Sequence, residues 1–230
     1  MDTYKARIDE ICLDVNQEPC AWVACEPKAV PSAGRYLMAH ALEDEDAPLA
    51  TPIFACKYSQ RGFLAAAPVP SHWQPGMSLM LTGPCGHGFE LPPDIRRLAV
   101  AILGNAAARM LPVILDPAHR ERSVAVFANC NLPVLPVEIE INPLDALPAL
   151  FNWADYLVCE VPLENLDEFR TMMRLPEIGR HTSIPGQALV FTAMPCGGVS
   201  ECGACALSLG KAYQYVCKDG PVFTLQELLS

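Results

Sequence analysis

RRLAVAILGNAAARMLPVIL, residues 96–115, is the most apolar long stretch of the chain, and its reading decides the fold. A membrane span would have to bury Asn105, Arg109 and Pro112 in hydrocarbon, where a lone cation and an interrupted backbone ladder are both costly. A strand over 98–103 followed by a helix over 105–115 carries no such cost, and it sets a rhythm that the downstream sequence continues. Residues 123–128 and 137–141 read as strands, 144–153 as a helix, 155–161 as a strand, 163–174 as an amphipathic helix and 187–193 as a further strand. Strands alternating with helices imply a parallel sheet with crossover connections. Upstream the pattern differs: short apolar or alternating runs at 35–42, 51–56, 62–67 and 77–82 are broken by Pro and Gly, which suggests an antiparallel barrel or sandwich.

Composition bounds what such a chain does. At 230 residues and 51% hydrophobic content there is material for one large core or two modest ones. Sixteen basic against 26 acidic side chains leave a formal charge of -10, which repels a phosphate backbone, so nucleic acid is not an expected partner. The 22 prolines predict short elements and rigid connections. The first residues, MDTYKAR, lack the apolar core of an export signal, and a cytoplasmic protein without membrane association is expected. The acidic run Glu43-Asp44-Glu45-Asp46 reads as a solvated turn.

In that reducing setting the 11 cysteines read as buried apolar residues and metal ligands rather than as a disulfide framework. Cys12, Cys20, Cys25, Cys56, Cys85, Cys130 and Cys159 are scattered without ligand spacing and read as core or loop residues. The other four crowd into MPCGGVSECGACALSLGKAYQYVCKDGPVF, residues 194–223, as C-x5-C-x2-C-x11-C: Cys196, Cys202, Cys205 and Cys217. This differs by one residue from a plant-type C-x4-C-x2-C run with a distant fourth cysteine, and four thiolates match a 2Fe-2S cluster with two ligands on each iron. Gly197, Gly198, Gly203 and Ala204 let the loop turn tightly and aim backbone N–H groups at sulfur. Residues 206–209 and 212–216 read as a short hairpin that returns Cys217 to the loop. Structural zinc would use the same thiolates, but its common frameworks pair two short knuckles and only one C-x2-C is present. Inert burial would leave a Gly-rich segment with little else to bury.

The residues then resemble a family. Met194-Pro195-Cys196-Gly197-Gly198, Glu201-Cys202-Gly203-Ala204-Cys205 and Cys217-Lys218-Asp219-Gly220-Pro221-Val222-Phe223 look like the cluster-binding end of the dihydroorotate dehydrogenase electron-transfer subunit, a ferredoxin-reductase-like protein. Gly83-Pro84-Cys85-Gly86-His87-Gly88-Phe89 is similar to that family's turn at the domain junction. The resemblance implies an α+β multidomain chain: an antiparallel β-barrel over 1–92, a Rossmann-like α/β domain over 93–193 and a 2Fe-2S segment over 194–230. It also implies an electron-transfer subunit of an oxidoreductase complex in pyrimidine biosynthesis. Such a subunit relays electrons between the FMN of a catalytic flavoprotein and an FAD that exchanges hydride with NAD.

Several positions depart from the family pattern. Thr51-Pro52-Ile53-Phe54 stands where the family has Arg-Pro-x-Ser, so the guanidinium for the flavin phosphate and the hydroxyl near the ring are absent. Ala65-Ala66-Ala67-Pro68-Val69-Pro70 replaces a Gly/Thr/Ser-rich phosphate segment, and its prolines remove backbone donors. Leu103-Gly104-Asn105-Ala106-Ala107-Ala108-Arg109 keeps one glycine of the nucleotide turn, and Cys159-Glu160-Val161 puts a carboxylate where an anionic cofactor would lie. FAD is therefore left open, and the barrel and α/β domain read as a docking scaffold. Two alternatives stand beside the relay: an FAD-containing NAD(P)H reductase subunit and a nonenzymatic cluster-based redox sensor. The chain has no H-E-x-x-H pair and no G-x-S-x-G elbow, the 83–88 glycine spacing lacks a following Lys, and His40 and His87 read as structural or solvated. No catalytic residue is assigned.

Overall fold

The computed structural model describes residues 1–42, 49–116, 122–150, 153–173, 184–196, 198–199, 201–210 and 212–230. The acidic run at 43–46, residues 151–152 and 174 of two expected helices, and Lys211 of the expected hairpin lie outside the described residues.

Six strands close the N-terminal barrel: β1 (Thr3–Leu13), β2 (Pro19–Ala24), β3 (Tyr36–Ala41), β4 (Thr51–Ser59), β5 (Gly62–Ala65) and β6 (Ser78–Cys85), in the order β1-β2-β5-β4-β3-β6. All neighbours are antiparallel. Its interior holds Ile8, Ala21, Val23, Leu37, Ala39, Ile53, Ala55, Phe63, Ala65, Leu79 and Leu81, and the many alanines suit the narrow lumen of six strands. The opposite faces of β3 and β4 are not solvated, because Tyr36, Met38, Phe54 and Cys56 pack into the core of the second half. That double burial is why these strands read as apolar runs rather than as alternations.

The second half adds β7 (Arg97–Ile102), β8 (Ser123–Ala128), β9 (Glu140–Asn142), β10 (Tyr156–Pro162) and β11 (Gly186–Phe191). The tail contributes a hairpin, β12 (Ala206–Leu209) with β13 (Ala212–Tyr215), and a last strand, β14 (Val222–Thr224). The large sheet runs β14-β11-β10-β7-β8-β9, parallel throughout except for the antiparallel edge strand β14.

Helices are shorter than the sequence predicts. In place of a helix over 105–115 there is a 3-10 turn, Ala108–Met110, leading into α1 (Leu111–Ile114), since Pro112 lacks an N–H and is tolerated only within a first turn. The segment expected as a strand over 137–141 pairs only at Glu140–Asn142, and the helix expected over 144–153 is a 3-10 segment, Leu144–Leu150, with Pro148 inside it. The amphipathic helix is a 3-10 turn, Leu163–Asn165, followed by α2 (Leu166–Met173), which buries Leu166, Phe169 and Met173. Two further helices, α3 (Val216–Asp219) and α4 (Leu225–Leu229), lie in the tail. Among the described residues no helix is long and apolar enough to cross a membrane.

Candidate iron–sulfur site

The first two cysteines of the tail lie in the turns after β11, with Cys202 exposed and Cys196 half-buried. Burial works to raise the Cys196 pKa. A hydrogen bond from the Cys202 thiol and the backbone N–H groups of Cys202, Glu201 and Gly198 outweigh it and bring the value down to about 6. Cys205 precedes β12, and Cys217 sits in α3. The Val216 N–H donates to the Cys205 carbonyl at 3.0 Å, one step beyond the Ala206–Tyr215 pair, so the hairpin returns the chain to Cys205 as its sequence predicts.

One barrel residue links these sulfurs. Tyr36 of β3 is fully buried, and its hydroxyl donates to the Cys217 carbonyl at 2.6 Å. Burial raises its pKa, and the nearby thiols of Cys85, Cys217, Cys205 and Cys196 raise it further. Gly198, at φ +85°, passes so close that a Cβ there would stand 3.0 Å from the Tyr36 hydroxyl. The thiols of three of the four candidate ligands are thus near enough to act electrostatically on one phenol, and the fourth is hydrogen-bonded to Cys196. Among the described residues no three His, Cys, Asp or Glu side chains are gathered tightly enough to hold a bare metal ion as they stand. The donor chemistry fits an iron–sulfur cluster: thiols, one of them already in the thiolate range, with N–H groups aimed at its sulfur.

The expected junction turn has a second role that the sequence did not reveal. His87 N–H donates to the Gly220 carbonyl at 2.7 Å, His87 Nδ1 stands 3.0 Å from the Asp219 carbonyl, and Arg35 donates to the carbonyls of Gly86 and Pro84 at 3.0 and 2.6 Å. Gly86 is at φ +69°, and a Cβ there would come within 2.3 Å of the Gly220 oxygen. The turn therefore clasps the segment that carries Cys217.

Between barrel and sheet, Glu160, the carboxylate that stands where an anionic cofactor would lie, is paired within the chain. Glu160 is 0% exposed and Arg109 7%. Nε of Arg109 donates to Glu160 Oε1 at 2.9 Å, and Nη2 donates to the same oxygen. Burial pushes the Glu160 pKa up, and Arg109 opposes that shift. The guanidinium lies 3.7 Å from the Phe191 ring centre, Phe191 meets Phe54 edge-on at 6.2 Å, and Phe54 meets Tyr36 at 5.7 Å. Phe54 occupies the position at which the resembled family carries the hydroxyl near the flavin ring. The chain's own rings and ion pair fill that space, and the residues present do not fit FAD there. A cavity of 430 Å³ that Gly104, Asn105, Arg109 and Phe191 help to line flanks the stack, and another of 370 Å³ is lined by Cys12, Cys20, Trp22, Cys56, Leu64 and Leu111, among others.

Comparison with known proteins bears on the same residues. Residues 192–229 match the family described as the iron-sulfur cluster binding domain of dihydroorotate dehydrogenase B. A probable dihydroorotate dehydrogenase B (NAD(+)) electron transfer subunit of Methanopyrus kandleri is 43% identical over 174 residues, covering 67% of this chain and 63% of that protein's length. The corresponding subunit of Desulforamulus reducens is 25% identical over 231 residues, covering 85% of each. Among solved structures, a chain of the NADH-dependent reduced ferredoxin–NADP oxidoreductase superposes with a TM-score of 0.72 at 16% identity over 96% of this chain and 88% of that one. The ferredoxin reductase of carbazole 1,9a-dioxygenase superposes with a TM-score of 0.60 at 13% identity over 83% and 69%. The closed barrel followed by a parallel sheet is thus a ferredoxin-reductase-like fold, residues 192–229 match an iron–sulfur cluster binding domain, and the chain is similar to dihydroorotate dehydrogenase B electron-transfer subunits, spanning 63% of the length of the first of them.

Proposed function

We propose that the chain is an iron–sulfur electron-transfer subunit that relays electrons to or from a flavoprotein partner such as a dihydroorotate dehydrogenase catalytic subunit. The cluster is of the 2Fe-2S type, held by Cys196, Cys202, Cys205 and Cys217, and when bound it supplies reversible one-electron chemistry. The observation that carries the reading is that Cys202 bonds to Cys196 while the hairpin returns Cys217 to Cys205, with all but Cys202 near enough to act electrostatically on Tyr36. In this role the protein's own residues position and insulate. The three N–H groups at Cys196 stabilise negative charge on sulfur, and Tyr36 ties the Cys217 backbone to the barrel. No general acid or base is called for.

The division of labour follows the segments 1–92, 93–193 and 194–230, with the first two as a docking scaffold and the third as the electron carrier. The Arg109–Glu160 pair and the Phe54–Phe191 contact favour a scaffold without flavin. A second reading, a reductase subunit with FAD in a displaced position, draws support from the 370 Å³ cavity beside Trp22. One anaerobic preparation separates them. Iron and sulfide in equal amounts, visible charge-transfer bands and no flavin released on denaturation are expected, together with co-purification of a flavoprotein. Stoichiometric zinc in a colourless protein would defeat the cluster, stoichiometric FAD would favour the reductase reading, and a cluster-loaded protein that captures no flavoprotein would favour a sensor.

A further inference from the structure

The seven cysteines outside the tail carry no ligand spacing, yet folding brings three of them together. Cys12 and Cys20 are register partners across the β1–β2 hairpin, and their sulfurs stand 3.1 Å apart. Cys56 from β4 lines the same 370 Å³ cavity, and its thiol is close enough to act on Cys20. Directly opposed residues of antiparallel strands have Cα atoms about 4.5–5.5 Å apart, inside the range a disulfide spans. The two sulfurs need only side-chain rotation to bond. Their accessibility differs, because Cys12 is half-buried at the cavity mouth whereas Cys20 is buried and its thiol bonds the Cys12 carbonyl at 3.2 Å.

We propose that Cys12 and Cys20 form a redox-active dithiol, a modification site distinct from the cluster cysteines, which closes to an intramolecular disulfide by exchange with a small-molecule disulfide such as oxidised glutathione. In the first step the Cys12 thiolate bonds to one sulfur of the reagent, the reagent's S–S bond breaks and one thiolate departs. In the second, Cys20 sulfur bonds to Cys12 sulfur, the mixed S–S bond breaks, and the second thiolate departs with the Cys20 proton. Two protein thiols are oxidised, and one reagent disulfide is reduced to two thiols. Burial, then the hydrogen bond with Cys12, push the Cys20 pKa up to about 12, so the second step is the slower and the mixed disulfide at Cys12 precedes closure. Cross-strand bridges between directly opposed residues are strained, which suits a reversible site rather than a permanent staple. The bridge would close the loop in which Asn16 accepts a hydrogen bond from Asn131 at 3.0 Å, a tie between barrel and sheet.

The test equilibrates the cluster-loaded protein anaerobically in glutathione buffers of increasing oxidised fraction, followed by acid quench, alkylation and peptide mass mapping. The expected product joins the Cys12 and Cys20 peptides, with a mass lower by two hydrogens, and disappears on return to reduced buffer. Cys20→Ser should arrest at a glutathione adduct on Cys12, and Cys56→Ser should leave closure unchanged. Alkylation of both Cys12 and Cys20 after equilibration, a stable adduct on wild-type Cys12 without closure, or a Cys20–Cys56 bridge in its place would each overturn the proposal.

Discussion

At the scale of single residues, Cys202 and Glu160 show what sequence conveys and what it hides. Cys202 is exposed, and its side chain contributes nothing to the core, so its loss should cost the cluster without costing the fold. Cys202→Ser is expected to abolish the visible absorption of the anaerobic protein while leaving its thermal unfolding within a few degrees of the wild type. Retained absorption would remove Cys202 from the ligand set. Glu160 is the reverse case. Its replacement by Ala strands the Arg109 guanidinium in the interior, and breaking a buried pair from one side costs about 3–5 kcal/mol. The double change Arg109→Met with Glu160→Gln removes both charges and should recover most of that loss in denaturant titration. A loss in the double variant equal to the sum of the losses at the two positions taken singly would show that the pair has no mutual dependence. The cysteine spacing was legible because all four candidate ligands fall within 22 residues. The Arg109–Glu160 partnership was not, since two charges 51 positions apart in β-α-β sequence carry no periodic mark of contact.

Elements were legible where period and chemistry agreed. β8 and the tail hairpin lie where their patterns place them, whereas β1 was overlooked: a register shift between Ile8 and Glu10 breaks its period-2 alternation midway. α4 was overlooked for its length, although Thr224 and Glu227 form a capping box in which the Thr224 hydroxyl accepts from the Glu227 N–H and the Glu227 carboxylate accepts from the Thr224 N–H. That short helix depends on its start. Thr224→Ala should cost about 1 kcal/mol, with Thr224→Ser close to neutral, in equilibrium unfolding of the intact protein. The far end is held by Arg170 of α2, which donates to the Leu228 carbonyl at 2.8 Å and to the Ser208 carbonyl of β12 at 2.7 Å. One guanidinium thus fastens helix and hairpin to the sheet domain.

For the whole molecule, these fastenings decide how the cysteine-rich tail relates to the rest. Composition predicts a segment too short to build its own core, and the structure shows where it finds one: Leu207, Leu209, Val216, Val222, Phe223, Leu225 and Leu228 are all buried in the cluster that fills the sheet domain. β14 adds to the outer edge of β11, and Tyr36 and His87 hold the tail from the barrel side, with Arg35 bracing the turn that carries His87. Two manipulations should therefore diverge. Chelating the iron removes only what the sulfurs hold, so the apo-protein should keep its near-ultraviolet circular dichroism and its amide protection in β7, β10 and β11, with loss of protection confined to residues 196–205. Truncation after residue 193 instead strips β14 from the sheet edge and uncovers the buried side chains of its neighbours. An open β11 edge beside newly exposed apolar surface is a template for association, and the shortened chain should accumulate as aggregate rather than as a soluble two-domain scaffold. A monomeric, cooperatively folding fragment 1–193 would mean that the tail is an appendage, and the barrel and sheet could then be studied without it. If apo full-length chain and fragment failed alike, cluster ligation itself would be a condition of folding, as in small metal-dependent domains.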